Sequence, residues 1–487
     1  MRLFSSQFMK ATVARQTLLL ALLSLGVWVL LLSYGSRNGF DGDSVALLSG
    51  ILHFDDRGPE NVYRYYWQPL NYELFSSLLR LGMPVSLLFV LPAFAGSATV
   101  TMLSVAAHRE SKSWVIAIGS VLLLPELLHS SLYFNPTIIG AVPFACAILV
   151  ARSPLPPVSR GIAIGALAAA AVLFRLDYVL ALPLLACWSV DRSCTRAAVS
   201  AAVAFMTLTI LAMATGLISP MRIVGVLGSY HDDVRTTGFE GWTLRDNLRV
   251  ISTMALTLAA LGTAIILVWP RRFGADVVAW TGAAAFAALP FLALESPKYA
   301  LPGLLFTPLL VARAFGQVAH QRVVRVALIA VLAVAYLAPA GSLKHTQDGE
   351  RVRYGYLAWW SGPDGPRVSM PIWAEFQHRL AVSIADIPGC TRVYPPNEAE
   401  ADWSGEWMVW TWPSMYLEQA GFETRRYSLL NGIALTRGAT AVTLYPRMPG
   451  SSAACQDVIL PTLGGTWYEV RDRFVAFWRA HPELERP

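Results

Sequence analysis

Runs of about twenty apolar residues with almost no charge recur along this chain, and they constrain its fold more than any other feature. A bilayer core needs roughly 20 such residues per helix, because lipid offers the backbone no hydrogen-bond partners. The first run is 17–34. Further runs are 85–107, 114–128, 136–151, 161–174, 178–190, 197–219, 248–269, 277–294, 299–315 and 323–339. They predict about 11 transmembrane helices. Charged residues make up 14% of the chain and hydrophobic ones 55%, whereas soluble domains carry about 25% charge. That excess excludes a soluble protein, and it also excludes disorder, which requires low hydrophobicity. The first run is too long for a signal-peptide core and no small-x-small cleavage site follows it, so it reads as a retained span.

The net charge of +6 reflects topology, not nucleic acid. Lys and Arg collect in alternate short loops: Arg2, Lys10 and Arg15; Arg109 and Lys112; Arg152 and Arg160; Arg192 and Arg196; Arg271 and Arg272; then Arg313, Arg322 and Arg325. The positive-inside rule makes these loops cytoplasmic, together with the N-terminus. Eleven spans then carry the rest of the chain to the outer face of a bacterial inner (plasma) membrane. The expected division is 1–340 as the membrane domain and 341–487 as a small extracytoplasmic α/β domain, with strands at 391–394 and 441–445 and helices at 414–420 and 470–479. Cys390 and Cys455 are the two tail cysteines. In an oxidising compartment they form one disulfide; otherwise they are two buried thiols. Trp403, Trp407, Trp410 and Trp412 make either a carbohydrate surface or, the preferred reading, part of that domain's core.

Ionisable groups at span ends are functional candidates. The densest group follows the first span: Asp41-Gly42-Asp43, then His53-Phe54-Asp55-Asp56, then the segment 63–73 with Tyr63, Tyr65, Tyr66, Trp67, Gln68, Tyr72 and Glu73. A carboxylate where the chain leaves lipid is partly desolvated, which raises its basicity. Such a group suits removal of a proton from an attacking hydroxyl or amine. Most of the aromatics read as an interfacial belt, with Gln68 and Tyr72 kept as pocket residues. His53 with Asp55, and His231 with Asp232, are of a type that holds a divalent metal. The preferred alternative makes them solvated loop residues or sugar hydrogen-bonders, so a divalent metal stays an open alternative and no cofactor is assigned. The chain has no CxxC, Cys/His zinc spacing, Walker loop or post-strand GxGxxG, which removes support for nucleotide hydrolysis and dinucleotide chemistry. It also lacks an internal repeat, which weakens a transporter with inverted repeats.

These features together resemble the C-fold superfamily of membrane glycosyltransferases, which includes protein O-mannosyltransferases and lipid A aminoarabinose transferases. The similarity rests on the acidic pair after the first span, the aromatic-x-Pro-Leu-x-Tyr segment 67–72, and two later elements. Phe174-Arg175-Leu176-Asp177 resembles the family's Arg-Pro-Asp/Glu element with Leu176 in place of Pro. Glu295-Ser-Pro-Lys298-Tyr299-Ala-Leu-Pro302 resembles its Arg-Tyr-x-x-Pro element with Lys298 in place of Arg. The resemblance spans roughly 17–339. It implies a polyprenyl-phosphate-sugar donor, a glycolipid, polysaccharide or protein acceptor, and an aspartate base, either Asp41 or Asp43. Arg175 and Lys298 become the donor-phosphate ligands, with Tyr299 beside the substrate. Charge chemistry agrees, since a departing lipid phosphate gains negative charge and a guanidinium binds phosphate through two parallel N–H groups. The plainer alternative pairs Arg175 with Asp177 and Lys298 with Glu295. The competing functions are a transporter or flippase of lipid-linked sugars and a non-catalytic assembly scaffold.

Overall fold

The computed structural model describes residues 2–33, 47–48, 50–52, 54–59, 65–131, 134–189, 195–225, 301–316, 322–323, 325–330, 342–345, 351–354, 370–394, 413–428, 432–444, 455–461 and 467–484. The expected spans 248–269 and 277–294, and most of 323–339, lie outside these residues. So do Trp403, Trp407, Trp410 and Trp412.

The membrane part is a helical bundle. Its main helices are α1 (Arg2–Ser33), α2 (Pro69–Arg80), α3 (Leu87–Ser111), α4 (Trp114–Leu122), α5 (Pro125–Ser130), α6 (Pro136–Ala151), α7 (Pro157–Phe174), α8 (Leu182–Ser189), α9 (Thr195–Ala214) and α10 (Thr307–Gly316). Among the described residues, the stretches Val90–Ser111, Pro157–Phe174 and Thr195–Ala214 are long and apolar enough to cross a bilayer. Leu18–Leu32, Pro136–Ala151, Leu176–Ala186 and Leu301–Arg313 are shorter apolar helices. The expected count of eleven therefore exceeds what the described residues display.

Proline explains where single expected spans are divided. The run 114–128 breaks at Leu123–Leu124, ahead of Pro125, which has no N–H and disfavours a helical residue before it. The run 178–190 begins as the 3₁₀ segment Leu176–Ala181 and becomes α-helical at Leu182, followed by Pro183. The run 299–315 is split at Leu305–Phe306, just ahead of Thr307-Pro308. The outward face of α9 carries Val199, Val203, Met206, Ile210 and Leu211, all exposed, as expected of a lipid-facing helix. Its other face meets α7 through small residues. A Cβ on Gly161 would lie 2.3 Å from the Ala197 carbonyl oxygen, and one on Gly165 2.3 Å from that of Ala201. The rising order of both pairs makes α7 and α9 parallel neighbours in backbone contact, the small-residue packing typical of membrane helices.

Helix directions define two ends of the bundle. At one end Arg109 Nη1 donates to the Leu149 carbonyl at 2.9 Å, Arg313 faces Glu110 at 3.9 Å and Arg160 donates to Ser153. This is the end where basic loops were expected. The C-terminus of α7 lies about 27 Å away, at 1.5 Å rise per residue.

The tail contains α11 (Met370–Ala385), α12 (Pro413–Gln419) and α13 (Trp467–Ala480), with a sheet of β3 (Cys390–Tyr394), β4 (Glu423–Ser428), β5 (Gly432–Arg437), β6 (Thr440–Leu444) and β7 (Cys455–Ile459). Strand order is β4-β5-β6-β3-β7. Strand β3 runs parallel to both β6 and β7, whereas β4, β5 and β6 form an antiparallel meander. A separate antiparallel pair joins β1 (Ser342–His345) to β2 (Arg351–Tyr354). Leu380, Ile384, Val393, Leu435, Val442 and Val458 fill the core, and Phe376 stacks on Phe474 at 4.3 Å. Helix α11 also packs against α3 and α1 of the bundle.

Cys390 and Cys455 sit opposite each other on β3 and β7 and are disulfide-bonded across 65 residues of chain. Beside them Arg392, 5% exposed, donates through Nε to Asp457 at 2.7 Å. Closing so long a loop restricts the unfolded chain, an effect worth about 2–5 kcal/mol. Cys390→Ser/Cys455→Ser is therefore expected to lower the tail's stability by about that amount, read as protease susceptibility of the purified full chain across a urea series. An unchanged midpoint would mean that strand pairing alone holds β7.

Candidate functional site

Helix α7 ends at Phe174, and Arg175 leaves it in extended conformation, φ −160° and ψ 121°. Its N–H still donates to the Ala171 carbonyl at 2.9 Å. The 3₁₀ segment then starts at Leu176. A first helical position has no intrahelical use for its N–H, so it accepts Pro or Leu alike. The departure from the Arg-Pro-Asp pattern is thus locally conservative.

Arg175 is 5% exposed. Its Nε donates to Asp177 Oδ2 at 2.5 Å, and both side chains are nearly buried. The ion pair anticipated as the plainer alternative is therefore formed. A guanidinium carries five N–H donors in a fixed plane, and the pair with Asp177 orients that plane. Asp177 lies in the first turn of the 3₁₀ segment, where a negative charge is favoured. Tyr178 is fully buried and donates its hydroxyl to the Thr137 carbonyl at 2.7 Å. This ties the turn to the N-terminal end of α6, which is capped by Asn135 accepting from the Ile138 N–H.

Helix α2 approaches the same turn. Its buried residues Pro69, Asn71, Tyr72, Phe75 and Ser76 recur at helical spacing on one face. Asn71 Nδ2 donates to the Phe174 carbonyl at 2.5 Å. Gln68, 5% exposed, stands just before the helix, with its N–H on the Tyr65 carbonyl. Tyr72 is completely buried. Phe54 lies 5.9 Å from its ring centroid, Tyr65 lies 5.8 Å away, and Gly50 abuts the ring edge. Tyr65 donates to Glu73 at 2.8 Å. Burial first, then that hydrogen bond, push the Tyr65 phenol above its usual range, so it stays protonated as a donor. Tyr66 is edge-on to Tyr65 at 5.1 Å and has the Arg222 guanidinium 5.9 Å from its ring.

The structure thus brings Gln68, Tyr72 and Arg175 to one end of the bundle, the end opposite the basic loops. Asp55 is more than half exposed and pairs with the equally open Arg80 at 3.3 Å, a type of contact worth little. Asp41, Asp43, His53, His231, Asp232, Lys298 and Tyr299 lie outside the described residues. Among the described residues, no group of three or more His, Cys, Asp or Glu is placed to hold a metal. Sequence reasoning missed Asn71 and Tyr178. Asn71 was visible as a polar residue on the apolar face of α2, four positions before Phe75.

With this architecture in place, comparison with solved structures finds the crystal structure of ArnT from Cupriavidus metallidurans in the apo state. It aligns at TM-score 0.50 and 14% identity, over 84% of this chain and 85% of that one. The chain has an ArnT-like fold. The crystal structure of ArnT from Cupriavidus metallidurans bound to undecaprenyl phosphate aligns at TM-score 0.45 and 13% identity, over 83% of this chain and 84% of that one. No family model matches the chain, and no curated protein does. The ArnT-like fold agrees with the helical membrane architecture expected for the bundle, and the described residues of the tail form a small sheet domain.

Proposed function

We propose that this protein is an integral-membrane glycosyltransferase of the inner membrane that moves a sugar from a polyprenyl-phosphate donor to an acceptor at the outer face. The observation that carries the reading is the buried Arg175–Asp177 turn at the end of α7, set within an ArnT-like fold and far from the basic loops. The acceptor hydroxyl or amine attacks the anomeric carbon. Asp41 or Asp43 takes its proton, the bond from that carbon to the phosphate oxygen breaks, and the lipid phosphate leaves with the electron pair. One displacement inverts the anomeric configuration. Arg175 and Lys298 stabilise the charge gathering on the departing phosphate, so catalysis is positioning plus electrostatics. Gln68, Tyr72, Tyr299 and His231 are the proposed sugar-facing residues.

Chain connectivity supports the placement of the base. Asp43 precedes the buried Leu47 by four residues and Gly50 by seven. Gly50 touches Tyr72, and the neighbouring Asn71 holds the carbonyl before Arg175. The disulfide supports an extracytoplasmic tail, since such bonds persist in oxidising compartments; with the eleven expected spans, the N-terminus is then cytoplasmic.

Proteoliposomes of the purified chain, given a radiolabelled polyprenyl-phosphate sugar and an outer-envelope glycolipid, polysaccharide or protein fraction, test this function. Label leaving the lipid phosphate for the acceptor is the expected result. Label crossing the bilayer with its phosphate bond intact would establish the flippase instead.

A further inference from the structure

We infer that Asn71 is a positioning residue for Arg175, acting from a different helix through the last carbonyl of α7; this rests on the glycosyltransferase reading above. Helix C-termini leave their final carbonyls without intrahelical partners. At α7 the Phe174 carbonyl receives Asn71 Nδ2 at 2.5 Å, and the next residue is Arg175. Asn71 thereby fixes the peptide from which the arginine departs. On the other side of the turn, the Tyr178 N–H returns to the Arg175 carbonyl at 3.1 Å, and the Tyr178 hydroxyl is anchored on Thr137. The arginine backbone is therefore clamped between α2 and α6, while Asp177 holds the side chain. A guanidinium that must meet a phosphate in two-point geometry needs its root fixed this way, because small displacements of a charge-stabilising donor cost rate.

A second observation separates this from ordinary packing. Asn71 has no solvent exposure, and among the described residues its Oδ1 has no hydrogen-bond partner. A buried acceptor left unpaired is unfavourable, and an apolar residue at this place on α2 would avoid it. Among the described residues, the amide's side-chain hydrogen bond is the one that Nδ2 donates. The same helix carries Tyr72, whose ring abuts Gly50 of the first loop.

The test is a double-mutant cycle on the full chain in proteoliposomes, with transfer from the radiolabelled donor as the readout. Asn71→Ala and Asn71→Asp are each expected to lower kcat about 10- to 100-fold, as expected for a displaced charge-stabilising group, with a smaller change in KM. Asn71→Ala added to Arg175→Ala, or to Arg175→Leu/Asp177→Leu, which leaves no buried charge unpaired, is expected to lower the rate no further, because the first residue acts only through the second. Losses that multiply would overturn the inference, as would a silent Asn71→Ala beside a damaging Arg175→Ala. A silent Arg175→Ala would instead overturn the glycosyltransferase reading itself. Detergent melting curves exclude unfolding, and Asn71→Gln, which keeps the amide donor, is expected to recover more activity than Asn71→Asp at equal melting temperature.

Discussion

Arg175→Ala is expected to lower sugar transfer about 100- to 1,000-fold, the usual consequence of removing one donor aimed at developing negative charge. The difficulty in reading such a loss is the buried partner. Removing one member of a buried ion pair strands the other and typically costs 3–5 kcal/mol of stability. Arg175 and Asp177 are both nearly inaccessible, so Arg175→Ala by itself confuses misfolding with lost chemistry. Arg175→Leu/Asp177→Leu resolves the two. Replacing a buried pair by apolar residues of similar volume is often neutral or stabilising, so the double variant is expected to melt near the parent temperature. If the pair were only structural, transfer would return with stability. If the guanidinium stabilises the departing phosphate, transfer stays at the level of a full loss in a well-folded protein. Asp177→Asn keeps an acceptor for Nε and is expected to fall about 10-fold, in line with loosened orientation rather than lost charge.

The same residues show how far the sequence could be read. The spacing Arg175-x-Asp177 at the end of an apolar run is visible in one dimension, because helix termination and the short i, i+2 pairing are local. The helices over 157–174 and 195–214 overlap the apolar runs expected at 161–174 and 197–219. Within the tail, β3, β6, α12 and α13 overlap the segments expected from β-rich and amphipathic patterns. Contacts between distant segments were not legible. Pairing of β3 with β7 joins strands 65 residues apart and decides whether Cys390 meets Cys455; no periodicity encodes that register. Asn71 likewise gains meaning only because Phe174, more than a hundred residues away, ends its helix beside α2. The divided spans were half legible: Pro125 and Pro183 announced the breaks, but a hydropathy run averages over them.

Asp41→Asn/Asp43→Asn is expected to abolish transfer, and one of the two single variants is expected to account for most of the loss. General-base catalysis contributes about 10²–10⁴, so the essential position should fall by that factor and the other by much less. The pH profile separates the roles. A base must be ionised to accept the acceptor's proton, so the parent rate falls as pH drops through the base's pKa. The variant lacking the base should lose that acidic limb as well as its rate, leaving a low and nearly flat profile. The variant lacking the other carboxylate should keep the limb, displaced toward lower pH if the removed charge had been raising the base's pKa by repulsion. Donor affinity gives an independent check. Neither aspartate binds phosphate in this mechanism, so the donor KM should stay within a few-fold in both variants, whereas Lys298→Ala should raise it. Wild-type rates in both singles and in the double would remove aspartate from the chemistry. The buried arginine turn would then be left to serve a reaction, or a transport step, that needs no base at that loop.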